Sequence, residues 1–398
     1  SAKFCVQAKN WPAPRKSRNS IDSAAPGQRY CTVKLYLISM ACIPIYGHGI
    51  LPDVANDAAF RHYPELMQVA EQTTKSINFD DVVALAKDDI EAVNRLITRS
   101  LESDVALVSQ VSEYIVMSGG KRLRPLIVLL GARALGYQGD QHISAATIIE
   151  FIHTATLLHD DVVDSSERRR GKVSANTVFG NQASVLVGDF LYSRSFQMMV
   201  DIGDMRVMHI LADATNTIAA GEVMQLMNVH DPDTSEDDYQ QVIYRKTAKL
   251  FEAGAQIAAV LANRDPGDEA SMIRYGQDLG TAFQLIDDAL DYNASADELG
   301  KNLGDDLAEG KATLPLIYAM QAGSEAQREL VRTAILNGGL EQMDDIQEII
   351  HSTGALEYTM KKARDAASSA IAQLAGIPES EYRQALMSLA EFAVQRRS

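Results

Sequence analysis

Residues Phe151–Gly171 read FIHTATLLHDDVVDSSERRRG, and they narrow what this chain can become more than any other stretch. Ile152, Ala155, Leu157, Leu158 and Val162 form an apolar stripe at helical spacing, so the first half is a helix. That helix also carries Asp160, Asp161 and Asp164. At 3.6 residues per turn, Asp160 and Asp164 stand one above the other on a single face. Two carboxylates so close repel each other unless a cation lies between them, and all-oxygen ligation suits Mg²⁺. Arg168, Arg169 and Arg170 follow just past the expected helix end, and planar guanidinium forks match phosphate oxygens. Carboxylates for Mg²⁺ beside guanidiniums for phosphate describe a diphosphate site.

An acidic cluster on a helix is ordinarily a solvated face, so a single copy decides little. The second copy carries the weight. Phe283–Tyr292 reads FQLIDDALDY and sets Asp287, Asp288 and Asp291 at the same spacing on another apolar helix. From Phe79 onward the chain reads as helices separated by breakers such as Gly136–Gly139, Asp231–Thr234 and Gly300–Gly310. The first, capped by Asn78 or Asp80, carries Val82, Ile90, Val93 and Ile97 on one stripe. One uninterrupted helix is expected over 236–262, and strand-like alternation is scarce. The expected fold is all-α, a single large helical bundle, with the two DDxxD helices facing across a central cavity.

The net charge of −16 argues against a nucleic-acid or anionic-membrane partner. A diphosphate ligand is itself anionic, so metal and local bases must invert the field at the site. Cys5, Cys31, Cys42 and Trp11 all fall near the start, and the rest of the chain needs no disulfide, which fits a reducing cytoplasm. Residues 1–75 hold six of the eleven prolines and nine Lys or Arg against five Asp or Glu, without sustained helical period. They are expected to be a poorly ordered extension of a domain covering 76–398. Leu35–Leu51 is too short and broken to span a bilayer, and no transmembrane segment is expected. A basic, serine-containing start would direct the protein to mitochondria if it were a transit peptide; otherwise the cytoplasm of a bacterium is expected. GxGxxG, P-loop, Ser–His–Asp and Cys–His arrangements are absent.

Lys121, Arg122 and Arg124 follow Gly119–Gly120 and precede Pro125, which favours a helix start; cations there make an anion site. GGKRLRP (Gly119–Pro125), HTATLLHDDVVD (His153–Asp164), RRG (Arg169–Gly171), KTA (Lys246–Ala248), FQLIDDALDY and GKNLGDD (Gly300–Asp306) together resemble the trans-isoprenyl diphosphate synthases, in particular the long-chain bacterial octaprenyl type. The resemblance runs from about Ser76 to the C-terminus. It implies the isoprenoid synthase type of helical bundle, and a reaction of ionisation, condensation and elimination between an allylic diphosphate and isopentenyl diphosphate. It assigns Lys121, Arg124, His153 and Arg170 to isopentenyl diphosphate. Asp160, Asp164 and Asp287 would hold two to three Mg²⁺, with Asp161, Asp288 and Asp291 ranked behind them. Arg169, Lys246, Thr247, Gln284 and Lys301 would surround the allylic diphosphate, Lys246 joining the three metal-holding aspartates as catalytic. The released diphosphate serves as proton acceptor, and the family suggests a homodimer.

Product length is expected from the residues four and five before Asp160, Thr156 and Ala155. Short-chain relatives carry a bulky aromatic there; here both are small, so a growing chain can pass towards the helix Ser184–Val200. Phe196 and Met199, three apart, are the expected floor, and a C40 product for a quinone side chain follows. The rivals are a shorter-chain (geranylgeranyl or farnesyl) synthase, a terpene cyclase and a non-catalytic synthase subunit. A cyclase usually has an Asn/Ser/Glu-type second motif, whereas Asp287–Asp291 repeats the first; a silent subunit would have lost a carboxylate or base.

Overall fold

The computed structural model describes residues 78–116, 119–169, 171–293 and 304–396. The expected extension 1–75 lies outside them, as do Arg170 and Lys301. Helix α1 (Phe79–Leu85) starts on a capping box: Asp81 N–H donates to Asn78 Oδ1 at 2.9 Å, and Asn78 N–H to Asp81 Oδ2 at 3.3 Å. Helices α2 (Lys87–Ser100), α3 (Ala106–Val116) and α4 (Leu123–Ala134) lead to α5 (Gln141–Val163), the helix of the first DDxxD. Because Ile148, Ile149, Phe151, Ile152, Ala155 and Leu158 are all buried, α5 is a central helix with no wide solvent face. Each large side chain buried there contributes about 1.5–3 kcal/mol.

A short antiparallel hairpin follows, β1 (Arg168–Arg169) against β2 (Lys172–Val173), with Arg168 opposite Val173. Then come α6 (Ala175–Phe179), α7 (Asn181–Ile202), α8 (Met205–Asn228), α9 (Glu236–Ile243), α10 (Lys249–Leu261) and α11 (Pro266–Asn293), the helix of the second DDxxD. The chain ends with α12 (Asp305–Ala308), α13 (Leu314–Ala322), α14 (Glu325–Asn337), α15 (Met343–Ser352), α16 (Ala355–Gln373) and α17 (Glu381–Gln395). The all-α expectation holds: that hairpin is the only sheet among the described residues.

Three apolar clusters hold the helices together. One centres on α5, α7 and α8, a second on α4, α10, α11 and α17, and a third on α11, α13, α14 and α15. Helices α10 and α11 touch backbone to backbone, because a Cβ on Gly276 would come 2.5 Å from the Phe251 carbonyl oxygen and one on Gly280 2.6 Å from Ala248 Cα. That contact carries the second aspartate motif, two turns further along α11, towards the segment just before α10. The single helix expected over 236–262 is divided there: Tyr244–Ala248 forms one π-turn between α9 and α10. Apolar periodicity continues through such a turn, so the sequence pattern cannot reveal it.

At the far side of α5 a half-buried network ties α2 to α4 and α5. Arg133 donates to both oxygens of Asp89 at 3.0 Å, and His142 Nε2 lies 3.1 Å from Asp89 Oδ2. Burial pushes the Asp89 carboxyl up, but the bonds from Arg133 and His142 outweigh it and hold its pKa below the usual range. Burial of the His142 ring likewise holds its pKa below the ordinary value, against the pull of Asp89. Both depressed values act in one direction: the stability is present above the unfolded pKa and is lost as pH falls through the folded one. Asp89→Ala should therefore cost roughly 3 kcal/mol at neutral pH, since it leaves Arg133 unpaired. Urea denaturation at falling pH should show that deficit narrowing, because protonation of Asp89 removes the same pair from the wild type.

Candidate active site

The last turn of α5 presents the first carboxylate wall. Asp164 is the C-cap of the helix, its N–H donating to the Asp160 carbonyl at 2.8 Å, so the two side chains emerge one turn apart as the spacing requires. Asp161 turns the other way and is fully buried, its Oδ1 accepting from Arg169 Nε at 2.6 Å. Burial pushes the Asp161 carboxyl up, against the Arg169 guanidinium. Arg169, assigned to the allylic diphosphate by resemblance, is thus engaged in clamping the hairpin to α5.

The second wall comes from α11. Asp287 is the exposed member and pairs with Arg396 Nη1 at 3.0 Å. Asp288 is buried, accepting from Tyr239 OH at 2.5 Å and from Gln284 Nε2 at 2.7 Å. Burial, then the charge of Asp306, push the Asp288 carboxyl up to about 8 despite those two bonds. The Asp291 side chain accepts the Asp306 N–H in the first turn of α12 at 3.1 Å. Of the three, Asp287 has the most exposed side chain, and its partner is a cation, not a group of the surrounding scaffold backbone.

Two ammonium groups stand between the walls. The π-turn aims Lys246 Nζ at Glu222 Oε2 and Gln225 Oε1 of α8, both at 2.7 Å, with Asp160 Oδ2 at 3.7 Å. The next residue, Thr247, donates to Gln284 Oε1 at 2.9 Å and so links this turn to Asp288. Lys311 Nζ reaches Asp164 Oδ2 at 3.1 Å and also pairs with Glu309. Burial opposes the Lys311 charge, but Asp164, Glu309 and Asp306 outweigh it and raise its pKa. Its backbone is fixed by a Schellman turn: Lys311 N–H donates to the Asp306 carbonyl at 2.8 Å, Gly310 N–H to Leu307 at 2.9 Å, and Gly310 adopts φ +70°. A cavity of about 130 Å³ lies between Lys246, Thr247, Gln284, Asp288 and Lys311.

A second cationic group lies around the start of α4. Arg124 Nη1 is 3.2 Å from His153 Nε2, and its guanidinium stacks over Phe251 at 4.6 Å and Phe283 at 6.0 Å. Lys121 Nζ sits 5.2 Å over the Phe392 ring, and its pKa is lowered by burial and by Arg396, against Asp287. Arg122 is separate, paired with Glu150 at 3.1 Å. The structure therefore brings Lys121, Arg124 and His153 to the Asp287 side, and Lys246, Thr247 and Gln284 to the side of Asp160 and Asp288.

Sequence reasoning missed Glu222, Gln225, Lys311 and Arg396. The first two announced themselves weakly as polar residues three apart near the end of a long helix. Lys311 follows a glycine in EGKATLP, and Arg396 gave no signal beyond its charge.

Below Asp160 on α5, Ala155 is fully buried and Thr156 is half-buried with its hydroxyl donating to the His153 carbonyl at 2.8 Å. Met199 on α7 is buried, but Phe196 is 45 % exposed and faces away from the interior where a floor is expected. Three residues turn a helix by about 300°, so the pair is offset by about 60°, and the edge of the buried face falls between them. Tyr192, one α7 turn before Phe196, faces inward instead. Its pKa is pushed up to about 12 by burial and by the charges of Asp160 and Glu222.

Among the described residues no three acidic or histidine side chains converge into a ready-made metal cage. The donor set nonetheless fits Mg²⁺, which is commonly held by one or two carboxylates, water and substrate phosphates. Asp160, Asp164 and Asp287 each face a cationic side chain at 3.7, 3.1 and 3.0 Å, so each stands where positive charge is already accommodated.

The polyprenyl synthetase family model matches residues 105–353. Octaprenyl diphosphate synthase of Escherichia coli K12 is 53 % identical over 321 residues, which is 80 % of this chain and 99 % of that enzyme. The octaprenyl diphosphate synthase of Haemophilus influenzae is 52 % identical, over 80 % of this chain and 98 % of its own. A polyprenyl synthase from Caulobacter crescentus, solved in complex with calcium and isoprenyl diphosphate, superposes with a TM-score of 0.78 at 46 % identity, covering 82 % of this chain and all of that one. A family model over residues 105–353 and 53 % identity across 80 % of the chain together place this chain in the polyprenyl synthetase family.

Proposed function

We propose that this prenyltransferase extends an allylic diphosphate such as farnesyl diphosphate by successive isopentenyl units, in trans, to a C40 diphosphate. The observation that carries the reading is the pair of DDxxD helices with Lys246 and Lys311 between them. Asp160, Asp164 and Asp287 would hold the two to three Mg²⁺, which when bound would supply positive charge to a departing diphosphate. Lys246 and Lys311 bind that diphosphate, with Thr247 and Gln284 beside it; Arg169 and Lys301 belong to the same group by resemblance. Lys121, Arg124 and His153, with Arg170, seat isopentenyl diphosphate. The allylic C–O bond breaks with its electron pair going to diphosphate. The π pair of isopentenyl diphosphate forms the new C–C bond, and a proton leaves to the released diphosphate.

Asp160→Ala and Asp287→Ala should each lower kcat by at least about a thousand-fold with circular dichroism unchanged, because no neighbouring carboxylate can take the vacated place. Near-normal turnover in either variant would remove the metal assignment.

Chain length follows from α5. Ala155 lies about 7.5 Å below Asp160 along the helix axis, and its methyl leaves the path open. Incubation with labelled isopentenyl diphosphate and Mg²⁺, followed by chromatography of the dephosphorylated products, should show mainly C40. Ala155→Tyr should shift the product to C15–C20, since the ring fills the passage. An unmodified enzyme that stops at C15 or C20 would refute the open tunnel.

The homodimer reading draws support from α7 and α8. Both bury one face, and both carry large apolar residues outward: Leu186, Phe196 and Val200 on α7, Val223, Leu226 and Met227 on α8. Exposed apolar groups on two consecutive long helices fit a second copy better than they fit water. Sedimentation velocity should give twice the chain mass at micromolar concentration, and Leu226→Glu should shift the equilibrium towards monomer. A wild-type protein that sediments as a monomer rules the dimer out.

A further inference from the structure

His230 touches no proposed substrate position, yet it joins three parts of the chain that bear on the site. Its backbone lies at φ +60°, a region that residues other than glycine rarely occupy and that persists only where surroundings fix it. Its N–H donates to the Gly310 carbonyl at 2.8 Å. Its Nδ1 lies 2.9 Å from the Ile335 carbonyl near the end of α14. A carbonyl can only accept, so Nδ1 carries a proton, as it does in one neutral tautomer and in the imidazolium alike. The ring also lies flat on Gly310: a Cβ there would sit 2.3 Å from Nδ1 and 2.8 Å from Cγ. Any side chain at position 310 would occupy the space of the ring.

These contacts connect the two ammonium groups. Gly310 immediately precedes Lys311, whose Schellman turn fixes it relative to α12 but not relative to α8. His230 lies two residues beyond the end of α8, the helix whose Glu222 and Gln225 hold Lys246. The bond from His230 N–H to Gly310, with the ring pressed on the same glycine, is what ties the α8 end to the Lys311 turn. The Nδ1 bond to Ile335 then anchors the imidazole itself.

We propose that His230 is a positioning residue for the allylic diphosphate, a clasp that sets the spacing between Lys246 and Lys311. The inference rests on the reading of those lysines as diphosphate ligands. It predicts a selective defect. With the clasp loosened, Lys311 keeps its charge but not its place, so the loss falls on binding of the allylic substrate.

The test is steady-state kinetics of the full chain with each substrate varied in turn. His230→Ala should raise KM for farnesyl diphosphate about five- to ten-fold, with kcat and KM for isopentenyl diphosphate within about two-fold of wild type. His230→Asn offers an amide N–H₂ near the place of Nδ1 and should recover most of the loss. Gly310→Ala drives a methyl into the ring and also strains the φ +70° turn ahead of Lys311, so it should raise the same KM at least as much as His230→Ala; an unchanged KM in this variant refutes the clasp even if His230→Ala folds poorly. Lys311→Met is the reference and should raise the same KM at least as much. If Lys311→Met has that effect while His230→Ala and Gly310→Ala leave the allylic KM unchanged, the clasp is refuted and the lysine reading stands. If Lys311→Met itself leaves the allylic KM unchanged, both fall. A lowered Tm without a split between the two KM values assigns His230 to ordinary loop packing and also overturns the inference.

Discussion

Like charge held at close range is the constraint that organises this structure. Asp160 and Asp164 on one helix, and Asp287, Asp288 and Asp291 on another, crowd five carboxylates onto two helix segments in a chain that already carries −16. The fold handles each differently. Asp160 and Asp164 face Lys246 and Lys311, and Asp287 faces Arg396. Asp288 is buried beside Asp306, and burial with that neighbouring charge pushes its carboxyl up. Asp291 accepts a backbone N–H and becomes part of a turn. Asp160, Asp164 and Asp287 thus each face a cationic side chain, while Asp288 and Asp291 bond within the scaffold.

Those cations are delivered by departures from regular helix. Lys246 sits in the π-turn Tyr244–Ala248, which swings its ammonium to Glu222 and Gln225 while Thr247 reaches α11. Lys311 follows a glycine in left-handed conformation at the end of a four-residue helix. Arg122, the N-cap of α4, is itself left-handed, and the turn it makes separates Lys121 from Arg124. An unbroken helix would point successive side chains at fixed 100° steps, and at none of these places would that step serve the site. Irregularity is concentrated where charge has to be placed, while α5 and α11 stay regular and carry the acids.

This division explains what could be read in advance. The two DDxxD motifs are helical i and i+4 patterns, so Asp160 over Asp164 and the all-α bundle were legible from spacing alone. Lys121, Arg124, His153, Lys246, Thr247 and Gln284 were legible only through resemblance; of these, Lys246, Thr247 and Gln284 line one cavity, while Arg124 and His153 meet at the start of α4. Lys311 and Arg396 were not, because each acquires its place from a long-range contact: Lys311 with Asp164 and Arg396 with Asp287. The split of 236–262 escaped because a π-turn leaves apolar periodicity almost intact. Phe196 departs from expectation for the opposite reason: its offset of about 60° from Met199 carries it across the edge of the buried face.

That boundary on α7 has a further consequence. Met199 and Leu191 are buried towards α5, while Leu186, Phe196 and Val200 look outward. A helix with its side chains is about 10 Å across, so the expected end of the tunnel and the outward apolar stripe are separated by one helix. Interiors packed to crystal-like density transmit displacement instead of absorbing it. A body covering the outward stripe would therefore hold the helix that carries Met199, and any shift of α7 on that face would alter the room left for the product. Under the proposed dimer and tunnel, α7 is the element that would join association to length control, with no residue on its outer face touching substrate.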